Sequence, residues 1–168
     1  MEQYRVVGKQ KNSDLCFVCG DQNPFGLQAM FYDLENGDAV GVFTAKKEHQ
    51  SYPGRVHGGV IAAILDEATG RALCQIDGPD AFGVTVELSI RYKKPVPYDV
   101  ELKCVGHITR NTRRLFEAEG RLLLPDGTEA ATAYAKYMKM NVHAIAGEEL
   151  TEEQWRYLDV ECPETIEF

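Results

Sequence analysis

The feature that most constrains this chain is one long apolar stretch of helical character, His57-Gly-Gly-Val-Ile-Ala-Ala-Ile-Leu-Asp-Glu-Ala-Thr-Gly-Arg-Ala-Leu-Cys74. Its Ala and Leu residues favour the helix, and Asp77-Gly78-Pro79-Asp80 stops it. Val60, Ile61, Ala63, Ile64, Leu65, Ala68, Ala72 and Leu73 occupy most of its circumference, and a helix apolar on nearly every side has to be buried. The remainder of the chain must therefore wrap it.

Strand patterns supply the wrapping. Leu27 to Leu34 and Ala39 to Thr44 flank Glu35-Asn36-Gly37-Asp38, and Asn-Gly between apolar runs is a hairpin signal because both positions tolerate positive φ. Val84, Val86, Leu88, Ile90 and Tyr92 alternate with Thr85, Glu87, Ser89 and Arg91, which predicts a half-buried strand with Thr85 on the polar face. The alternation recurs at Val100, Leu102, Cys104, Gly106 and Ile108, and at Phe116, Ala118, Gly120, Leu122 and Leu124. Pro125-Asp126-Gly127 then turns the chain into a last strand, about Thr128 to Met140. The order β-β-α-β-β-β-β with short connections predicts an α+β domain, a six-stranded antiparallel meander curled around one long central helix.

A length of 168 residues and 44% hydrophobic composition fit one domain with one core. No apolar run is long enough for a membrane span and the N-terminus lacks a signal-peptide core, which predicts a cytoplasmic protein without a membrane partner. There the five cysteines stay reduced. Cys16-Phe-Val-Cys19 has no second Cys pair or His-x3-His in the sequence to complete a tetrahedral set, so neither metal nor cofactor is expected. The net charge of −8 argues against a nucleic-acid partner. Residues 147–168 carry eight acids and one arginine, so the tail holds −7 of that charge and the preceding residues are close to neutral. Thr151-Glu-Glu-Gln154 reads as a capping box for a short C-terminal helix carrying Trp155 and Leu158.

Two features of the central helix point to chemistry. His57-Gly58-Gly59 opens it with residues that cost helix stability, yet they leave the first N–H groups approachable at the positive end of the helix dipole. A tight turn into the helix is the plainer explanation of the same glycines. Asp66 sits mid-helix beside Leu65, Ala62 and Ala63, where a carboxylate is expensive unless it is paired or faces a cavity. It is a candidate for acid–base work, with a hydrogen bond to the next strand as the structural alternative. Nine residues separate His57 from Asp66, about 13.5 Å along a helix, so both features of one chain do not reach one carbonyl. Two copies related by a two-fold axis would bring Asp66 of one beside Gly58 of the other.

Tyr52-Pro-Gly-Arg-Val-His-Gly-Gly-Val-Ile-Ala-Ala-Ile-Leu-Asp-Glu-Ala68, followed by Thr85-Val-Glu-Leu-Ser-Ile-Arg-Tyr-Lys-Lys-Pro95, resembles the hotdog-fold acyl-CoA thioesterases of the phenylacetate-degradation type. Cys16-Phe-Val-Cys-Gly-Asp-Gln-Asn-Pro-Phe-Gly-Leu27 resembles the leader of one branch of that family. The resemblance implies a leader over residues 1–26, a hotdog domain over 27–143 and an acidic tail over 144–168. It also implies a homodimer, alone or as a dimer of dimers, acting on acyl-CoA. The Gly58 N–H would polarise the thioester carbonyl, with His57 and Gly59 shaping the loop and Thr85 near the carboxylate. The partner's Asp66 would act as general base on water or as nucleophile, and the sequence leaves both open.

Ser51 departs from the Asn or Gln of many members, with Gln50 as a neighbouring substitute. Arg55, Arg91, Lys93, Lys94, Arg110 and Arg113, with Arg114, are candidate contacts for CoA phosphates. Should Gln50 not substitute, a non-catalytic acyl-CoA-binding protein is the alternative. A hydratase would need a different acid–base pair from the one present.

Overall fold

The computed structural model describes residues 1–151 and 153–168, and of Val142, His143 and Glu148 the backbone only. The central helix, α1, runs from Gly58 to Arg71, and a short α2 follows at Cys74–Asp77. Around them lie β1 (Gln3–Lys9), β2 (Asn12–Ser13), β3 (Met30–Leu34), β4 (Ala39–Thr44), β5 (Gly83–Tyr92), β6 (Glu101–Asn111), β7 (Leu115–Leu123) and β8 (Glu129–Lys139). A short α3 (Val142–Ala146) precedes β9 (Trp155–Arg156) and β10 (Thr165–Glu167).

The main sheet has eight antiparallel strands, not six, in the order β10-β1-β3-β4-β6-β7-β8-β5. The six strands expected from the sequence are all present. The two additional ones are contributed by the chain ends, and Tyr4, Val6, Ile166 and Phe168 pack there beside Tyr32, Val40, Val105 and Leu123. Those four alternate with residues that face the helix, so this second apolar cluster lies on the sheet's far face. The simple meander fails at one step. β5 pairs with β8 at the sheet edge, whereas β6 pairs with β4. The β5–β6 link must therefore cross the molecule, and the buried Val96 secures it by accepting the Val56 N–H at 2.8 Å.

Trp155, expected on a C-terminal helix, lies on β9, which pairs with β2. Its indole donates to Asp80 and its ring faces the Arg71 guanidinium, contacts that fix it in the tertiary structure whatever its local preference. The capping box itself includes Glu152, which lies outside the described residues.

The helix is buried against β6 and β7 through two paired glycines, Gly106 and Gly120. A Cβ on Gly106 would overlap the Ala68 carbonyl oxygen, and one on Gly120 would lie 2.8 Å from Thr69 Cγ2. Larger residues would push the helix off its seat, because close-packed interiors yield little. Ile64, Leu65 and Ala68 then meet Leu102, Cys104, Leu122 and the Ala133 side of β8. Gly106→Ala should cost about 3 kcal/mol or more through overpacking. Urea unfolding monitored by circular dichroism would read this as a lower midpoint, and an unchanged midpoint would refute the close seat.

Candidate functional site

His57 is the N-cap of α1, in extended conformation, and its Nδ1 accepts the Gly59 N–H at 2.8 Å. The His57 carbonyl accepts from Val60 and Ile61. One amide of the first turn, that of Gly58, has no acceptor among the described residues, as expected of the first N–H of a helix. Gly58 is held from the other side, its carbonyl accepting the Tyr92 hydroxyl at 2.9 Å. A surface pocket of about 410 Å³ opens there, walled by Ser51, Arg55, Gly58, Tyr92, Lys93 and Lys94 among others. Lys93 is paired with Glu129 at 2.6 Å, while Arg55 and Lys94 have no ion pair among the described residues.

Asp66 is half-buried and lies in a different pocket, of about 210 Å³, with Thr85, Gly70, Phe82, Tyr137 and Trp155 on its walls. Its Oδ1 accepts the Thr85 hydroxyl at 2.9 Å and the Tyr137 hydroxyl at 2.9 Å. Tyr137 also touches the Asp66 carbonyl at 2.7 Å and Thr69 Oγ1 at 2.6 Å. One carboxylate oxygen is thus anchored by two hydroxyls, leaving Oδ2 for another partner.

Thr85 reaches Asp66 because the strict alternation of β5 is broken. The register with β8 shifts between Thr85 and Glu87, so Val86 is a bulged residue. The extra residue reverses the phase. Thr85 stands opposite the buried Tyr137, as Leu88 stands opposite Ala135 and Ile90 opposite Ala133. The expected position of Thr85 on the polar face is therefore corrected to the helix-facing side.

The two pockets share no lining residue. The remaining sequence candidates are divided between them or lie outside. Gln50 is exposed, forms an isolated bridge with Val56, and is not on the wall beside Gly58. Arg91 lines a third surface pocket with Glu119, Arg121 and Tyr134. Arg110, paired with Glu117 at 3.4 Å, and Arg113 belong to the β6–β7 hairpin end, where Asn111 meets Asp77. That is the Asp66 end of the sheet, ten residues of β5 away from Lys93 and Lys94.

Tyr137 and Tyr92 were missed by sequence reasoning. A signal existed for Tyr137: the helix-facing side of β8 reads Ala131, Ala133, Ala135, Tyr137, and a large hydroxyl-bearing ring after three alanines marks a side chain that reaches across.

These geometries can be set beside known proteins. Residues 53–131 match the model of the Thioesterase superfamily. That span includes Gly58, Asp66 and Thr85 and stops before Tyr137. The acyl-coenzyme A thioesterase THEM4 of Mus musculus is 42% identical over 69 residues, 41% of this chain and 28% of that protein. The THEM4 of Xenopus laevis is 33% identical over 103 residues, 60% of this chain and 41% of that protein. The chain thus spans less than half the length of these curated relatives. A thioesterase superfamily protein of known crystal structure, 27% identical, superposes with a TM-score of 0.68 over 74% of this chain and 60% of its own. The fold is accordingly α+β and hotdog-like, with eight strands. The PaaI protein of the E. coli phenylacetic acid degradation operon is 15% identical, with a TM-score of 0.61 over 68% of this chain and 81% of its own. At that identity the likeness is one of fold alone, so the phenylacetate-type resemblance is replaced by sequence similarity to THEM4.

Burial, and then the charge of Asp66, hold the Tyr137 phenol well above its ordinary 10.0. A raised folded-state value stabilises the protein fully below the unfolded value, and that contribution is lost as pH climbs above about 10. The unfolding free energy should therefore decline above that pH, and less steeply in Tyr137→Phe. Identical alkaline slopes in chemical denaturation would refute the buried Tyr137–Asp66 pair.

Proposed function

We propose that the chain is an acyl-CoA thioesterase whose active site forms between two copies, from the Gly58 pocket of one and the Asp66 pocket of the other. The separation of these two groups into different pockets of one chain is the observation that carries this reading. β5 supplies a route to their union. It is an edge strand ten residues long, and Val84 and Val86 along it are 39% and 57% exposed. Long bare edges invite pairing with another chain. An antiparallel pairing of β5 with its copy about a two-fold axis near Leu88 and Ser89 would set Thr85 of one chain against Tyr92 of the other. Since Thr85 bonds Asp66 and Tyr92 bonds Gly58, that pairing would bring carboxylate and amide together.

The chemistry follows from where charge develops. The thioester carbonyl lies on the Gly58 N–H, which gains strength as the oxygen becomes an oxyanion. Oδ2 of Asp66 takes a proton from water as that water attacks the carbonyl carbon. The tetrahedral intermediate collapses, the C–S bond breaks, and the proton passes to the departing thiolate, giving carboxylic acid and CoA. Direct attack by Asp66 through a mixed anhydride remains the second route. Thr85 and Tyr137 hold the carboxylate in position. Arg55 and Lys94, with Arg110 and Arg113 from the opposite chain, are suited to the CoA phosphates.

Two variants separate the roles. Asp66→Asn should lower kcat/KM for a hydrolysed acyl-CoA by at least about 100-fold in a thiol-release assay. Gly58→Pro deletes the N–H at a position where proline fits the helix start and the extended His57 before it. It should cost about 100–1,000-fold with the fold retained. Each variant alone is nearly inactive, yet co-expressed chains form mixed dimers with one intact site, restoring about a quarter of wild-type sites. No recovery on mixing would refute the shared site. Retained binding of acyl-CoA by a wild type without thiol release would instead support a binding protein.

A further inference from the structure

The N-terminal Cys16-x-x-Cys19 turn is part of the folded domain. It packs against the core of the domain, where Val18 and Cys19 are buried beside Ile61, Ile64 and Ala68 of α1. In that position the two sulfurs meet a carboxylate that the sequence keeps 48 residues away, that of Glu67. One ligand atom from each of Cys16, Cys19 and Glu67 lies within 4.8 Å of the others. The turn is also built around its sulfurs. The N–H groups of Val18 and Cys19 point at Cys16 Sγ at 3.3 and 3.4 Å, and the Ser13 N–H points at Cys19 Sγ at 3.5 Å. Gly20 closes the turn so tightly that a Cβ would lie 2.7 Å from the Asp14 carbonyl oxygen.

We propose that Cys16, Cys19 and Glu67 form a binding site for a thiophilic divalent cation, zinc being the natural occupant. Bond lengths of about 2.0–2.3 Å place tetrahedral ligand atoms about 3.3–3.8 Å apart, a contraction within the reach of side-chain rotation. Water completes the fourth position. The charges also balance. Two thiolates and one carboxylate carry three negative charges, and the buried Arg71, bonded to Glu67 at 2.7 Å, supplies one positive charge. A divalent cation brings the group to neutrality, the condition under which buried charge is tolerated. Arg71 holds Glu67 through Nε, orienting the carboxylate as outer partners orient metal ligands. The cation would pin the N-terminal turn to α1 one residue from Asp66.

The test uses the reduced full chain, titrated with Co²⁺ and then competed with Zn²⁺. The expected result is one Co²⁺ per chain with thiolate-to-cobalt charge-transfer absorption and tetrahedral ligand-field bands, both displaced by Zn²⁺. Glu67→Gln should weaken zinc binding at least about tenfold, the lower bound for losing even an outer partner of a metal site. Cys16→Ser should clearly weaken the charge-transfer band, which then rests on Cys19 alone, while Cys162→Ser, at an exposed cysteine, should leave it unchanged. Circular dichroism confirms that each variant is folded. The proposal is overturned if the wild type takes up no stoichiometric Co²⁺ or Zn²⁺, or if folded Glu67→Gln binds zinc as tightly as the wild type. It is equally overturned if Cys16→Ser leaves the charge-transfer intensity at its wild-type value.

Discussion

The position of every group in the candidate site follows from how closely α1 sits on the sheet. Gly106 and Gly120 face each other across β6 and β7 and leave the helix backbone at Ala68 and Thr69 in direct contact with the strands. That approach brings the helix within reach of Tyr137 on β8 and Thr85 on β5, whose hydroxyls meet one oxygen of Asp66. A methyl group at the glycine seat would lift the helix. The hydroxyl contacts, which tolerate only a few tenths of an ångström, would open with it.

β5 acts as the frame along which the two halves of the site are spaced. Near one end its Thr85 holds the carboxylate, and at the other its Tyr92 holds the carbonyl of Gly58. The bulge at Val86 is what makes the first contact, because an extra residue in a pleated strand reverses which side chains face inward. Strand, bulge and helix together hold the carboxylate of Asp66 and the amide of Gly58 at opposite ends of β5 within one chain. In the proposed function, complementarity to a thioester would be a property of two chains, and the exposed edge of β5 is the surface on which that pairing would be made.

Much of this was readable in the residues. The all-round apolar helix, the Asn36-Gly37 hairpin and the alternating strands followed from side-chain periodicity and turn chemistry, which are local properties. Asp66 stood out because a carboxylate in that helix needed a reason, and Gly58 because glycine at a helix start exposes an amide. The errors share one cause. Thr85 was placed on the wrong face, β5 beside β6, and Trp155 on a helix, since a bulge, a crossover and a ring held by Arg71 and Asp80 all depend on partners distant in sequence. The chain-end strands, β1 and β10, pair with each other across most of the sequence, and β1 with β3, so they too depend on distant partners.

What the sequence determined by itself was that a helix apolar on all sides must be wrapped by strands, and that this helix carries an exposed amide at one end and a carboxylate within. Hydrophobic periodicity and the cost of burying charge are sufficient for both. Only the tertiary structure decided that Asp66 is held by Thr85 and Tyr137, that it and Gly58 open into separate pockets, and that Glu67 stands beside Cys16 and Cys19. Those are distances between residues far apart in the chain. They are set by the glycine seat, the strand order and the bulge, which no local propensity encodes.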